Sequence, residues 1–118
     1  MEEINFSYNW NNKLNCNAFT TFRMLNQKYR IGRIYKINLN RKFLFEAQIM
    51  DMRQILLEEI TEIAAMIDTG LNRTSFIDLV KTMYKAYKIN WETQPFQYML
   101  LLKQKELTEN KEQSLFLY

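Results

Sequence analysis

Ile34-Tyr35-Lys36-Ile37-Asn38-Leu39 is followed by Asn40-Arg41-Lys42 and then by Phe43-Leu44-Phe45-Glu46-Ala47-Gln48-Ile49. The first run is rich in β-branched and aromatic residues, with polar side chains that can face solvent. The second run alternates, with Phe43, Phe45, Ala47 and Ile49 on one side and Leu44, Glu46 and Gln48 on the other. Period-two alternation is the signature of a strand with one buried face, and the polar triplet between the runs predicts a hairpin turn. Gly32 punctuates the chain just before this hairpin. Further upstream, Phe19 to Met24 also alternates: Thr21 and Arg23 share one face, Thr20 and Phe22 the other. Phe6, Tyr8 and Trp10 repeat at period two and predict another strand, leading into an Asn-rich turn or short helix that runs through Asn17. The first half is therefore expected to be mostly strand.

Downstream, the period changes near Asp51. Leu56, Ile60, Ile63, Ala64 and Ile67 recur at helical spacing and are expected to face the core, with Glu58, Glu59 and Glu62 outside. Gly70 is a natural left-handed stop for that helix, and Asn72 can cap a second. The second helix has an expected apolar stripe of Phe76, Leu79, Val80, Met83, Tyr84 and Tyr87. Pro95 breaks the chain, and Phe96 to Leu102 is apolar enough to be a final buried strand. Two units follow: a domain over residues 1–103 and a charged tail over 104–118, possible as a helix or as a handle for self-association. The tail ends Leu115-Phe116-Leu117-Tyr118.

The composition narrows the chemistry. The 118 residues are 47% hydrophobic and 14% aromatic, enough apolar material for one compact core. No stretch approaches the roughly 18 apolar residues of a spanning helix, and Met1-Glu2-Glu3 does not open a secretory signal, so a cytoplasmic, non-membrane protein is expected. With no histidine and a single cysteine, Cys16, the chain lacks the ligands of a usual nitrogen and sulfur zinc site and the members of Ser-His-Asp or Cys-His machinery. Neither metal nor cofactor is expected.

Charge is divided unevenly. Between Ile4 and Phe45 there is no acid, against the cations Lys13, Arg23, Lys28, Arg30, Arg33, Lys36, Arg41 and Lys42. From Glu46 to Asp78 seven acids face only Arg53 and Arg73. Interleaved with the cations are Trp10 and Tyr29, a combination that suits phosphate tracking and base stacking.

The order of strands, two helices and a closing strand, with the local strings Phe-Ser-Tyr-Asn-Trp at 6–10, Phe-Thr-Thr-Phe-Arg at 19–23, Tyr-Arg-Ile-Gly-Arg-Ile-Tyr-Lys-Ile at 29–37, Ala47-Gln48-Ile49, Asp68-Thr69-Gly70-Leu71, Phe76-Ile77-Asp78-Leu79 and Met83-Tyr84, resembles the ASCH domains of the PUA-like superfamily. In particular it resembles the small bacterial 4-acetylcytidine amidohydrolases. The resemblance implies an α+β fold: a small PUA-like β-barrel of about five to six strands, with two main α-helices between the penultimate and last strands. It carries Thr21 over as the family's nucleophile, Arg23 as its pocket cation and Asp68 as the nearest candidate for its assisting acid. Ala18 stands where the family's activating lysine belongs, and Arg33 where many relatives carry aspartate. A base for Thr21 would then have to come from Lys13 or Lys28, reaching in from a loop.

The leading expectation is a binding module for RNA or a modified nucleotide, with Arg23 as anion anchor and Lys28, Arg30, Arg33, Lys36, Arg41, Lys42, Trp10 and Tyr29 around it. The alternatives are an amidohydrolase acting on a modified cytidine through Thr21 and Asp68, and a structural or regulatory interaction protein of a mobile element.

Overall fold

A computed structural model describes residues 1–105 as a five-stranded sheet with two helices. The strands are β1 (Glu3–Phe6), β2 (Ala18–Met24), β3 (Ile34–Leu39), β4 (Lys42–Leu56) and β5 (Pro95–Lys103), and the helices are α1 (Glu62–Thr69) and α2 (Arg73–Met83). Short 3-10 turns occupy Trp10–Asn15 and Leu57–Glu59. The spatial order is β1-β3-β4-β5-β2, with β1 parallel to β3 and every other pairing antiparallel.

The sheet curls into a half-barrel. Irregularities in pairing at Ile37/Asn38 and at Ile49/Asp51 mark bulges, which bend a strand and increase its twist. The outermost strands, β1 and β2, consequently approach each other: the Phe6 and Phe19 rings meet edge to face at 6.2 Å, and Arg23 Nη2 donates to the Asn5 carbonyl at 2.7 Å. Side chains, rather than a ladder of backbone bonds, close this seam.

The predicted hairpin is present. Asn40 and Arg41 both take positive φ, the geometry that matches the right-handed twist of the strands they join. Two expected element boundaries need correction. The strand read from Phe6 through Trp10 stops at Phe6; Asn9 then accepts a hydrogen bond from Leu14 N at 2.9 Å, and Asn11 and Asn12 enter the left-handed region, winding the chain into the 3-10 turn. The change of period near Asp51 does not start a helix, because β4 continues to Leu56 in register with β5, pairing Leu56 with Pro95.

Helix α1 begins only after Thr61, whose hydroxyl accepts from Ala64 N at 3.1 Å. Its inward face is Ala65, Asp68 and Thr69; of the expected core-facing stripe Ile60 is buried and Ala64 packs against the core, whereas Ile63 and Ile67 are 70% and 53% exposed and are corrected to outward positions. Helix α2 starts at the expected Asn72 cap, which accepts from Ser75 N at 2.8 Å, and buries Phe76 and Val80; Met83 and Tyr87 remain exposed.

Two apolar clusters result. One fills the curl of the sheet with Ile4, Phe6, Phe19, Tyr35, Ile37, Ile49 and Met99 among others. The other joins sheet to helices through Phe22, Leu57, Ile60, Ala65, Phe76, Val80 and Phe96, with Phe22 stacked on Phe96 at 4.9 Å. Each fully buried side chain of this size contributes about 1.5–3 kcal/mol. No helix among the described residues is long and apolar enough to cross a membrane. Most of the tail, residues 106–118, lies outside the described residues, and with it the expectation of a helix or handle there.

Candidate functional site

The seam between β1 and β2 opens into a cleft of about 110 Å³ lined by β1, the 3-10 turn, β2, the end of α1 and one face of α2. Its polar floor begins with the 3-10 turn. Asn11 Nδ2 reaches the Met66 and Ile67 carbonyls at 3.3 and 3.4 Å, docking the turn on the last carbonyls of α1. Gly70 ends α1 at φ +78°, where a Cβ would meet Asn11 Oδ1 at 3.3 Å, so a small residue in a left-handed conformation is required for that contact. The docked turn drives Lys13 inward.

Lys13 Nζ lies 2.9 Å from Asp68 Oδ1, and both residues are nearly sealed, at 6% and 4% exposure. The same Asp68 oxygen accepts from Thr20 Oγ1 at 2.8 Å. Removing a charge from water is costly unless it is paired and hydrogen-bonded, and this pair meets the requirement with ligands from three elements. Burial pulls the Lys13 ammonium below its ordinary lysine value; Asp68 opposes that pull, and the nearby charge of Arg23 adds to it. The amine is therefore closer to its neutral, proton-accepting form than a lysine in solvent.

In the same cleft, Arg23 Nε donates to Thr21 Oγ1 at 3.0 Å while its guanidinium lies 4.6 Å from the centroid of the Phe6 ring. Thr21 is buried and lines the cleft together with Lys13, Arg23, Asp68 and Thr69. By accepting from Arg23, the Thr21 oxygen leaves its own hydrogen to be given elsewhere. Tyr8 and Trp10, which meet edge to face at 4.7 Å, also line the cleft, as do Met83 at the end of α2 and Tyr84 just after it.

Of the residues singled out in the sequence, Thr21, Arg23, Asp68 and Trp10 converge on this cleft, and Lys13 joins them. The others go elsewhere. Lys28 Nζ donates to the Glu3 carbonyl at 3.0 Å, across the seam. Tyr29 is 7% exposed and packs in the sheet core, away from the cleft. Arg30 and Arg33 flank the Gly32 turn, Arg33 edging a shallow depression with Met1, Glu2, Glu3 and Ile34. Lys36 and Arg41 edge another shallow depression together with Glu3, Asn5, Asn38 and Phe43, and Lys42 is exposed at the start of β4. The cations thus do not gather over one hollow.

Sequence reasoning undervalued Lys13, since a lysine in an Asn-rich turn reads as solvated; the one available signal was the run of asparagines able to fold that turn tightly. Among the described residues, no three histidine, cysteine, aspartate or glutamate side chains converge as a metal site would require. Comparison with known proteins found no matching family model, no matching curated protein and no matching solved structure.

Proposed function

We propose that the chain is an ASCH-type, PUA-like domain whose seam cleft hydrolyses an amide on a small nucleoside-like substrate. The observation that carries this reading is the buried Lys13–Asp68 pair in the same cleft as Thr21 and Arg23. A threonine hydroxyl needs a base to attack a carbonyl, and the position where relatives carry a lysine is Ala18. Lys13 supplies an amine from a different element, with its proton affinity reduced by burial.

In this scheme Thr21 Oγ bonds to the acyl carbon while its proton passes to Lys13, directly or through one water. The carbon–nitrogen bond then breaks, and the departing amine takes that proton from Lys13. Water attacks the acyl-Thr21 ester with Lys13 again as base, releasing the carboxylic acid and restoring the hydroxyl. Asp68 holds Lys13 in place, Arg23 fixes the Thr21 oxygen, and Trp10 with Tyr8 gives the substrate's flat ring an apolar wall. A cleft of about 110 Å³ leaves room for the acyl group beside Thr21, with the rest of the substrate lying at its open side along Tyr8 and Trp10.

Incubation of the purified protein with N4-acetylcytidine is expected to release acetate and cytidine in equal amounts, with turnover lost in Thr21→Ala. Absence of acetate from folded wild-type protein would retire the hydrolytic reading.

A second reading, surface binding of RNA, is favoured by one observation: Lys36 and Arg41 sit beside Phe43, which is exposed on the outside of the hairpin. Its mark is an affinity that falls by roughly 0.7 log units per log unit of salt for each phosphate neutralised on a single strand.

A further inference from the structure

Helix α1 has two unlike faces. Asp68 is buried, while Ile63, Met66 and Ile67 are exposed, and Ile63 and Ile67 share a groove with the exposed Leu100 of β5. Between α1 and the outer side of β4 and β5 runs a second, apolar groove of about 490 Å³, with Ile55, Ile63, Ile67 and Leu100 in its walls and Arg53 and Glu59 at its rim. The Tyr98 hydroxyl in its floor is already bonded to the Ala64 carbonyl at 3.0 Å, so the groove calls for an apolar occupant rather than a polar ligand. Exposed apolar side chains converging on one groove give a docking segment apolar surface to remove from water.

We propose that the occupant is this chain's own residues 115–118, with Phe116 as the anchor between α1 and Leu100. The chain leaves β5 beside the groove: Lys103 is the last residue of the strand, and Gln104 N still pairs with the Glu46 carbonyl at 2.8 Å. Residues 106–118 follow, and their apolar side chains are Leu107 and the block Leu115, Phe116, Leu117 and Tyr118. Ten residues from Lys105 to Leu115 span up to about 33–36 Å, whereas Leu100 lies only about 10 Å back along the strand from Lys103. The block reaches the groove with slack. Tethering gives it an effective concentration of about millimolar, which favours it over the same block on a second copy at micromolar protein. Covering the groove supports α1 from outside, on the helix that holds Asp68 inside. This inference stands independently of the hydrolytic reading.

The test uses the full chain carrying Cys16→Ser, Leu100→Cys and Phe116→Cys under mild oxidation. The expected product is an internal disulfide in the monomer, its yield unchanged by tenfold dilution, forming at least about tenfold faster than in a control with Phe43→Cys in place of Leu100→Cys. Dimers linked between chains would overturn the proposal in favour of a second copy, and free thiols or equal rates in the control would overturn it outright. In the otherwise natural chain, Phe116→Asp is expected to shift the methyl resonances of Ile63 and Ile67 and to speed amide exchange in α1 by about tenfold. Unchanged spectra and exchange would contradict it.

Discussion

Lys13 and Arg41 come from the same acid-free stretch of sequence, yet they end in opposite surroundings. Lys13 is sealed beside Asp68 at the seam of the half-barrel, held by a turn docked on a helix end. Arg41 sits in a hairpin turn, exposed, in a depression it shares with Lys36 and Glu3 and with no ion pair of its own among the described residues. A sequence tally weights these two charges equally. The structure separates them, because a buried charge must be compensated in place and therefore has fixed geometry, whereas an exposed one contributes a diffuse, salt-screened field.

The comparison can be broken most sharply at the buried pair. Lys13→Met or Asp68→Asn leaves an unpaired polar or charged partner in the interior, and each is expected to cost about 3–5 kcal/mol in denaturant unfolding. The double change Lys13→Met with Asp68→Leu removes both charges and is expected to recover most of that loss. Additive losses in the double variant would show that the two side chains do not act as a pair.

Gly70→Ala forces a side chain into the left-handed region against Asn11. A loss of about 1–2 kcal/mol is expected from the backbone conformation, with a matching fall in hydrolysis because the turn that carries Lys13 is displaced. Full activity in a destabilised Gly70→Ala protein would separate the turn from the cleft.

The pH response follows from the lowered proton affinity of Lys13. Its folded value lies below the ordinary 10.5, so between the two values the unfolded chain binds more protons. Stability contributed by this group therefore rises as pH climbs through the folded value toward 10.5, and is least at lower pH, where the ammonium must be buried. Turnover is expected to rise over the same limb as the amine becomes neutral. The thermal midpoint of Lys13→Met should lack this part of the pH slope; an identical slope in both proteins would assign it to other groups. Smallest of all, Arg41→Ala and Lys36→Ala are expected to change stability by less than about 0.5 kcal/mol and to leave hydrolysis untouched.

Much of the fold was legible along the chain because it rests on local rules. Alternation marked β2, β3 and the start of β4, the turn at Asn40 and Arg41 joined the hairpin, and Gly70, Asn72 and Pro95 punctuated the helices and β5. What could not be read depends on partners far away in sequence. Residues 50–56 continue β4 only because β5 lies alongside. The parallel pairing of β1 with β3 has no local signature. Of the candidate site, Thr21, Arg23 and Asp68 entered through the family resemblance, and the inward turn of Asp68 on α1 was not legible, because an isoleucine stripe reads as core and an aspartate as solvated. Asp68 faces inward because Lys13, 55 positions earlier, and Thr20 compensate it there.

The most direct measurement compares acetate release from N4-acetylcytidine, across pH, by wild type and by the Lys13→Met with Asp68→Leu protein after its stability has been shown to be near normal. A wild-type rate that climbs with pH, falling by about 10²–10⁴ in the folded double variant, is the predicted result. Equal rates in the two proteins, or none in wild type, would contradict a catalytic role for the buried pair.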